Sequence, residues 1–331
     1  MNTSLVGVSV VKNEADIIEA NVRHNLRYLD RLIVLDHDSC DATSRILRFL
    51  VEEGLPLTLR RLPKAAPAFY QPQITHGLMR EAFDQFGADF VFPIDADEFI
   101  RTPSRAALIA ALRGTTACVA SLPWQTYVPA VDGQGGHPLH ALRWRIESAN
   151  AAFGKVVVSR RIDANEWRIG RGNHVVYEQY GTDLSWTAGD ALAGMALAHL
   201  PLRSPAQLIS KALIGWLARK LSYGPKGETT TSSWHLRELF QRVVLTGEPI
   251  TYADVHDYAI RLYAPGRMPE ERRTSEDYRI VEDPFAESMP LRYTDSEPAD
   301  PARLLALWTS QLIDRMLQSQ APTNTTEPAN S

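Results

Sequence analysis

Cysteine, signal-peptide features and long apolar runs are scarce or missing in this chain of 331 residues. Its two cysteines, Cys40 and Cys118, form neither a disulfide framework nor a metal-binding cluster. The first residues lack the basic region and cleavage site of a signal peptide. The longest apolar runs, such as residues 191–202, are shorter than the roughly 20 residues that span a bilayer. These absences predict a cytoplasmic protein without a transmembrane segment, and peripheral contact with the inner face of the membrane is compatible with them.

The charge balance is close to neutral. There are 35 Lys and Arg residues against 39 Asp and Glu residues, which gives a formal net charge of −4. A general nucleic-acid-binding protein is expected to be basic, so no nucleic-acid partner is predicted. The 44% of hydrophobic residues is typical of a globular protein and argues against a disordered, collagen-like or coiled-coil chain.

Strand-like and helix-like segments alternate through the first hundred residues. Helical spacing of apolar residues separates four strand-like segments, which are residues 5–11, 31–36, 57–62 and 89–94. This order predicts an α/β fold, a Rossmann-like and mainly parallel sheet flanked by helices. Ligands of such sheets bind at the carboxyl ends of the strands. The ends of these strands are therefore the expected site.

The pattern changes after about residue 115. Short strand-like segments separated by Gly, Pro and Asn predict a more mixed, partly antiparallel extension of the sheet. Helices are expected from Pro205, over residues 233–245 and over residues 302–317, whereas residues 247–301 are predicted to be irregular. Residues 321–331 are polar and contain Pro, which predicts a disordered tail.

Three carboxylates follow the fourth strand directly, namely Asp95, Asp97 and Glu98. Negative charges this close together require a cation or hydrogen-bond donors, and Mg²⁺ or Mn²⁺ accepts carboxylate oxygens together with phosphates. His199 ends a later apolar segment and is a candidate for a further metal ligand, for which His174 competes. A solvated acidic strand end is the alternative interpretation.

Polar residues also follow the first two strands. Lys12, Asn13 and Glu14 follow the first strand, and Asp36 and Asp38 follow the second. The two aspartates could accept hydrogen bonds from a ribose hydroxyl or a base, although the same turn also reads as an ordinary helix start.

A basic segment extends over residues 143–171 and has a net charge of +4. It could neutralise a diphosphate or an anionic acceptor, or it could form a solvated face.

The V-K-N-E sequence at residues 11–14 and the D-x-D-E-F sequence at residues 95–99 resemble family-2-type glycosyltransferases with the GT-A fold, and a bacterial branch in particular. The likeness is strong over residues 5–101 and continues weakly to His199-x-x-x-Arg203-Ser204. It implies a GT-A catalytic domain at residues 1–222 and a helical or irregular C-terminal extension at residues 223–320.

The resemblance further implies inverting, metal-dependent transfer of a sugar from a nucleotide-sugar donor to a saccharide, lipid-linked or protein acceptor, as in polysaccharide biosynthesis. By position, Asp36 and residues 12–14 would line the nucleoside pocket, and Asp95 would face the ribose or metal-bound waters. Asp97 would bind Mn²⁺ or Mg²⁺ directly, and His199 would complete the metal site.

The likeness leaves the catalytic base unidentified. Inverting transfer needs a base near the acceptor hydroxyl, and the candidates are Glu98, Glu147, Asp183 and Asp190. The turn after the second strand also lacks the glycine of the D-G-S-x-D-x-T pattern common in this family.

Two alternatives remain open at the level of sequence. One is a catalytically silent nucleotide- or carbohydrate-binding module, and the other is a nucleotidyltransferase, although the chain lacks the Gly-rich loop usual in that class. An NAD-dependent oxidoreductase is disfavoured because no G-x-G-x-x-G follows the first strand. The sequence indicates neither the donor sugar nor the linkage nor the oligomeric state.

Overall fold

The N-terminal half of the sheet is parallel. The structure, a computed structural model, describes residues 3–61, 71–133, 143–162, 167–180, 183–223, 234–266, 273–284, 290–294 and 300–320. Its first elements are β1 (Leu5–Val11), α1 (Ile18–Asn25), β2 (Arg31–Asp36), α2 (Thr43–Glu52), β3 (Leu57–Arg61), α3 (Gln71–Asp84) and β4 (Phe90–Pro93). Strand β1 pairs in parallel with β2 and β4, and β2 pairs in parallel with β3. The alternation predicted from the sequence is confirmed, and Leu62 of the third predicted strand lies outside the described residues.

The following segment extends the sheet with strands of both directions. Its elements are β5 (Glu98–Arg101), α4 (Arg105–Gly114), β6 (Val119–Val128), β7 (Trp144–Ile146), β8 (Asn150–Ser159), β9 (Trp167–Ile169), β10 (Val176–Tyr180), β11 (Asp183–Thr187), β12 (Asp190–Ala191) and β13 (Ala196–His199). Strand β8 is antiparallel to β4 and β6, whereas β13 is parallel to β6 and antiparallel to β5. Strands β9, β10 and β11 form a separate antiparallel sheet. The predicted fold class, a mixed α/β sheet flanked by helices, is confirmed.

The C-terminal part contributes helices and an edge strand. These are α5 (Pro205–Tyr223), α6 (Trp234–Gln241), α7 (Tyr252–Tyr263), β14 (Ile280–Glu282) and α8 (Pro301–Gln320). None of the helices in the described ranges is both long and apolar enough to cross a bilayer. The predicted tail, residues 321–331, lies outside the described residues.

The prediction that residues 247–301 are irregular is wrong for α7. Thr251 caps this helix: its Oγ1 accepts a hydrogen bond from the Asp254 amide, and the Asp254 carboxylate accepts one from the Thr251 amide. Such a reciprocal capping box starts a helix efficiently. Val255, Tyr258 and Ala259 then fall on one buried face. The T-x-x-D sequence and the helical spacing of these apolar residues predict a helix, whereas the surrounding Pro and Gly residues favour an irregular segment.

Strand β1 is buried on both faces and lies inside the sheet, between β4 and β2. Leu5 and Val11 pack in the cluster that contains residues of α1 and α2, whereas Val6 and Val8 pack in the cluster that contains residues of α3. At Gly7 a Cβ atom would lie 2.5 Å from Cδ2 of Leu32, so a larger residue would force the packed side chain of Leu32 to shift. The carboxyl end of β1 therefore lies between those of β4 and β2, at the edge of the sheet where ligands are expected.

The C-terminal elements share a hydrophobic cluster with the sheet. Val128 of β6 and Leu208 of α5 belong to the same cluster as Val255 and Ile260 of α7. Strand β14 pairs antiparallel with β7. Residues on both sides of position 222 therefore contribute to one buried cluster.

Candidate active site

Asp97, Glu98 and His199 come together where β4 gives way to β5. Strand β13 is antiparallel to β5, which places His199 opposite Glu98, and the Leu200 amide donates to the Asp97 carbonyl at 2.8 Å. One potential ligand atom from each of the three side chains lies within 4.8 Å of the others, and all three residues are buried. The pairing of two sheet strands thus brings together residues that are distant in sequence.

The His199 imidazole has the properties of a metal ligand. The residue is 4% exposed, and its ring stacks on the Trp124 indole with 3.9 Å between the ring centroids. Burial, reinforced by the charges of Lys211 and Lys155, lowers the pKa of His199 well below its ordinary value, so the ring is neutral. Its Nδ1 is buried and has no hydrogen-bond partner among the described residues. An orphaned nitrogen beside carboxylates fits the donor set of a divalent cation.

His174, the competing candidate, also contacts Trp124. Its ring meets the Trp124 indole edge-on at 5.0 Å, and its Nδ1 lies 2.6 Å from the Gly154 carbonyl oxygen. It does not belong to the cluster of potential ligand atoms, which within the described residues consists of Asp97, Glu98 and His199.

Glu98 is enclosed by donors from the protein. Its Oε1 accepts from Trp124 Nε1 at 2.7 Å and lies 3.4 Å from Lys155 Nζ. Its Oε2 accepts from the Asp95 amide at 2.9 Å. Burial raises the pKa of Glu98 to about 8, and Lys155 opposes that shift. Because both oxygens are engaged, the geometry suits holding the turn at residues 95–98 better than deprotonating an acceptor.

Asp95 is paired with a lysine that the sequence did not single out. Lys155 Nζ lies 2.5 Å from Asp95 Oδ2 and donates to the Gly172 carbonyl at 2.6 Å. Burial alone would lower the pKa of Lys155. The negative charges of Asp95 and Glu98 outweigh that effect and raise the pKa above its ordinary value, so the lysine stays charged. Asp95 is outside the cluster of potential ligand atoms. The only signal in the sequence was the position of Lys155 within the basic segment.

Two other residues of the basic segment, Arg143 and Arg145, form ion pairs outside this cluster. Arg143 pairs with Glu282 at 2.5 Å, and Arg145 pairs with Asp283 at 2.6 Å. These ion pairs join β7 to β14 and its flank. The positive charge seen in the sequence is therefore divided between the site and this edge of the sheet.

The loops after β1 and β2 are bonded to each other. Lys12 Nζ donates to the carbonyls of His37 and Asp38, at 3.1 and 3.4 Å. The Asn13 side-chain oxygen accepts from the Cys40 amide at 2.8 Å. Asn13 and Asp38 both have positive φ, 56° and 50°, a conformation that non-glycine residues adopt rarely and often at functional sites. The strand ends thus form one preorganised rim.

Asp36 organises its own turn. One carboxylate oxygen accepts from the amide and hydroxyl of Ser39, at 3.0 and 2.7 Å, and the other accepts from the Ser44 hydroxyl. Asp36 is 8% exposed. The structure thus shows this carboxylate engaged within the turn that follows β2.

Arg203 connects the end of β13 to the loop after β1. Its guanidinium donates to Glu14 at 2.7 Å, to Asp16 at 2.7 Å and to the Leu200 carbonyl at 3.2 Å. Burial raises the pKa of Glu14 to about 7 even though Arg203 opposes that shift. The sequence indicated Arg203 only as part of the His-x-x-x-Arg-Ser segment.

A cavity of about 1050 Å³ opens beside this rim. Its walls come from the loops after β1 and β2, the first half of α5 and the start of α8. The lining residues include Lys12, Asn13, Glu14, Asp16, Cys40, Asp41, Arg45, Gln207, Ser210, Lys211, Ile214, Arg303, Leu304 and Leu307. The predicted residues 12–14 therefore face a space of the size that binds a cofactor-sized molecule. Asp36 and Asp38 are not among the residues that line it.

Two of the remaining candidates for a base, Glu147 and Asp190, are not part of the metal-ligand cluster. Glu147 is 48% exposed and pairs with Arg279 at 3.1 Å. Asp190 is exposed on β12. Asp183 begins β11 in the separate sheet, and its side chain lies outside the described part of the structure.

Comparisons with known proteins give structural likeness only. No protein-family model and no curated protein matches the chain. Three solved structures illustrate the likeness. S. aureus TarS 1-349 in complex with UDP is 18% identical over 40% of this chain and 38% of its own, with a TM-score of 0.27. Glucosyl-3-phosphoglycerate synthase from Mycobacterium tuberculosis, in complex with Mn²⁺, UDP and glucosyl-3-phosphoglycerate, is 16% identical over 48% and 57%, with a TM-score of 0.27.

Mannosyltransferase PcManGT from Pyrobaculum calidifontis, in complex with GDP-Man and Mn²⁺, is 15% identical over 82% of this chain and 78% of its own, with a TM-score of 0.36. The chain thus spans less than two thirds of the first two structures and more than three quarters of the third.

Proposed function

We propose that this protein is a metal-dependent glycosyltransferase of the GT-A type, which transfers a sugar from a nucleotide-sugar donor to an acceptor hydroxyl with inversion. The observation that carries the proposal is the neutral His199, whose unpaired Nδ1 is buried in a cluster with Asp97. Asp97, Glu98 and His199 do not themselves line the cavity. The charge of Asp97 nevertheless raises the pKa of Glu14 and of Lys211, which both line the cavity wall, so the cluster lies within electrostatic reach of the cavity.

Asp97 and His199 are the residues that would hold the metal ion, and Glu98 is the third member of their cluster. Carboxylate and imidazole donors suit Mn²⁺, and carboxylate oxygens suit Mg²⁺ as well. When bound, the ion would supply positive charge to the donor diphosphate. The chain itself prepares the site by keeping His199 unprotonated and by balancing Asp95 with Lys155.

The cavity rim supplies the donor pocket in this proposal. Residues 12–14 line the cavity, and their cross-links to the loop after β2 hold them in place before a ligand arrives. A rigid rim lowers the entropy that is lost when a ligand binds. In this proposal Asp36 fixes the turn after β2, and Cys40 and Asp41 of that turn form part of the cavity wall.

A donor screen tests the proposal. Purified protein is incubated with UDP-, GDP- and dTDP-sugars in the presence of saccharide, lipid-linked and protein acceptors. Each reaction is run with Mn²⁺, with Mg²⁺ and with a chelator, and the release of nucleotide is measured. We expect metal-dependent release from at least one donor, abolished by Asp97→Asn and retained in Asp84→Asn, which changes an exposed aspartate on α3. Metal-dependent donor binding without turnover across the whole screen would instead favour a silent binding module.

A further inference from the structure

Lys211 lines the cavity and is influenced by the charge of Asp97 in the metal-ligand cluster. It belongs to α5, which begins at Pro205 shortly after the end of β13. Its Nζ donates to the Pro201 carbonyl at 3.2 Å and lies 6.0 Å from the centroid of the Tyr263 ring. The backbone turn after His199 and the Tyr263 ring thus hold the ammonium group in place.

The ammonium group carries a charge that no neighbouring carboxylate neutralises by direct contact. Burial lowers the pKa of Lys211, but Tyr263, Asp97 and Glu14 raise it above its ordinary value, so the group remains protonated. Among the described residues, Lys211 forms no salt bridge. By contrast, the neighbouring buried cations are engaged by carboxylates, Lys155 with Asp95 and Arg203 with Glu14 and Asp16.

An ammonium group has three donors, and the Pro201 carbonyl takes one of those of Lys211. Because Lys211 lines the cavity, its other two donors can bind a ligand there. An anion that enters the cavity beside Lys211 would therefore meet a charged and positioned donor that has hydrogen bonds still to give. A diphosphate is such an anion, and charge-assisted hydrogen bonds to its oxygens are among the stronger ones in proteins.

We propose that Lys211 binds the diphosphate of the donor and stabilises the nucleoside diphosphate that leaves. This inference rests on the proposed function. As the acceptor oxygen bonds to the anomeric carbon, the bond from that carbon to the β-phosphate oxygen breaks, and its electron pair stays on the diphosphate. The acceptor proton passes to a base. Lys211 acts on the developing phosphate charge, from the side of α5, and takes no part in the proton transfer.

Calorimetry with unreactive ligands tests this role without an identified acceptor. UDP, GDP and dTDP are titrated in the presence of Mn²⁺, alongside the corresponding nucleosides. We expect Lys211→Met to weaken nucleoside diphosphate binding about 10- to 100-fold and to leave nucleoside binding unchanged. Lys211→Arg should stay within severalfold of wild type because it keeps the charge. Lys220→Met, on the same helix but not in the cavity wall, should bind like wild type.

A labelling experiment on the wild-type protein is independent of any variant's folding. Lysines are acetylated in the presence of Mn²⁺ with nucleoside diphosphate or nucleoside, and each modified peptide is quantified by mass spectrometry. We expect the diphosphate, and not the nucleoside, to protect Lys211. Wild type that binds nucleoside diphosphate while Lys211→Met binds equally well, or while Lys211 is unprotected, overturns the role of Lys211 and leaves the proposed function standing. Wild type that binds no nucleoside diphosphate overturns both.

Discussion

Glu98 and His199 face each other across the antiparallel strands β5 and β13, and Trp124 contacts both. The Trp124 indole donates to Glu98 Oε1 at 2.7 Å and stacks on the His199 ring at 3.9 Å. The parallel pairing of β6 with β13 sets this position, because Trp124 lies opposite Leu197. A carboxylate, an imidazole and an indole are therefore fixed by sheet register rather than by loop conformation. This rigidity is what a preorganised metal site requires.

Replacing His199 by Phe tests whether His199 acts as a metal ligand or only as a packing residue. Phe retains a ring that can stack on Trp124 but removes the unpaired Nδ1. We expect Mn²⁺ affinity, measured by electron paramagnetic resonance titration, to fall at least 10-fold, as expected when a ligand is lost from a small donor set. The midpoint of thermal unfolding should change by only a few degrees. His174→Phe, outside the ligand cluster, is the control and should bind Mn²⁺ normally. A large loss of thermal stability with unchanged Mn²⁺ affinity would show that His199 is structural.

Lys155 should be essential for stability as long as its carboxylate partners are charged. Lys155→Met leaves Asp95, whose side chain is 34% exposed, without its cation, while Glu98, whose pKa burial raises to about 8, can take up a proton, so the loss of the ion pair should cost about 1–3 kcal/mol. The free energy of unfolding, from urea titration, should fall by about that amount. Adding Asp95→Asn should restore part of the loss, because it removes one of the unpaired charges. Equal stability of Lys155→Met and wild type would contradict this assignment.

Part of the decrease in unfolding free energy at acidic pH should come from His24. This ring is buried, its Nε2 lies 2.8 Å from the Ile100 carbonyl oxygen, and burial lowers its pKa to about 4. Below the unfolded-state pKa of about 6.5, the unfolded chain binds a proton that the folded chain refuses until about pH 4. Stability should therefore decrease as the pH falls through this window, by about 3 kcal/mol, and His24 should add no further loss below it.

The matched variant is His24→Gln, whose amide can donate to the same carbonyl. The difference in unfolding free energy between wild type and this variant, measured by urea titration from pH 7 to pH 4, isolates the contribution of His24. A difference that does not change with pH would contradict the assignment.

Glu19 should hold the C-terminal segment against α1. Its buried carboxylate accepts from the amides of Arg292, Tyr293 and Thr294, at 2.8, 2.8 and 2.9 Å. Glu19→Gln removes the charge and replaces one acceptor by a donor, so we expect a loss of about 2–3 kcal/mol in unfolding free energy. Proteolysis near residues 290–294 should also become faster. Glu52→Gln, an exposed change at the end of α2, should alter neither property.

Much of the sheet could be predicted from the sequence because its information is local. Apolar runs such as residues 5–11 and 31–36 have the length and β-branched content of buried strands. The grouping of Asp97 with His199 was implied by the family resemblance, and in the structure the antiparallel pairing of β5 with β13 brings the two residues together. The strand patterns are contained in a few adjacent residues, whereas the grouping of Asp97 with His199 joins residues that are distant in the sequence.

What the sequence did not provide depends on contacts between distant elements. Lys155 reads as one member of a basic segment, and only the pairing of β8 with β4 and β6 brings it to Asp95. Asp36 reads as a ligand-facing strand end, yet Ser39 and Ser44 close the turn onto its carboxylate. Side-chain direction at a strand end is set by the turn that follows, and composition does not reveal it.

The metal dependence of nucleotide binding tests the central claim most directly. Nucleoside diphosphates are titrated calorimetrically into wild type and Asp97→Asn, each with Mn²⁺ and with chelator. We expect wild type to bind at least one of UDP, GDP and dTDP at least 10-fold more tightly with Mn²⁺ than without it, and Asp97→Asn to lose that difference while its thermal unfolding stays close to wild type. Binding that is the same with Mn²⁺ and with chelator, or a metal effect that persists in Asp97→Asn, would contradict the account.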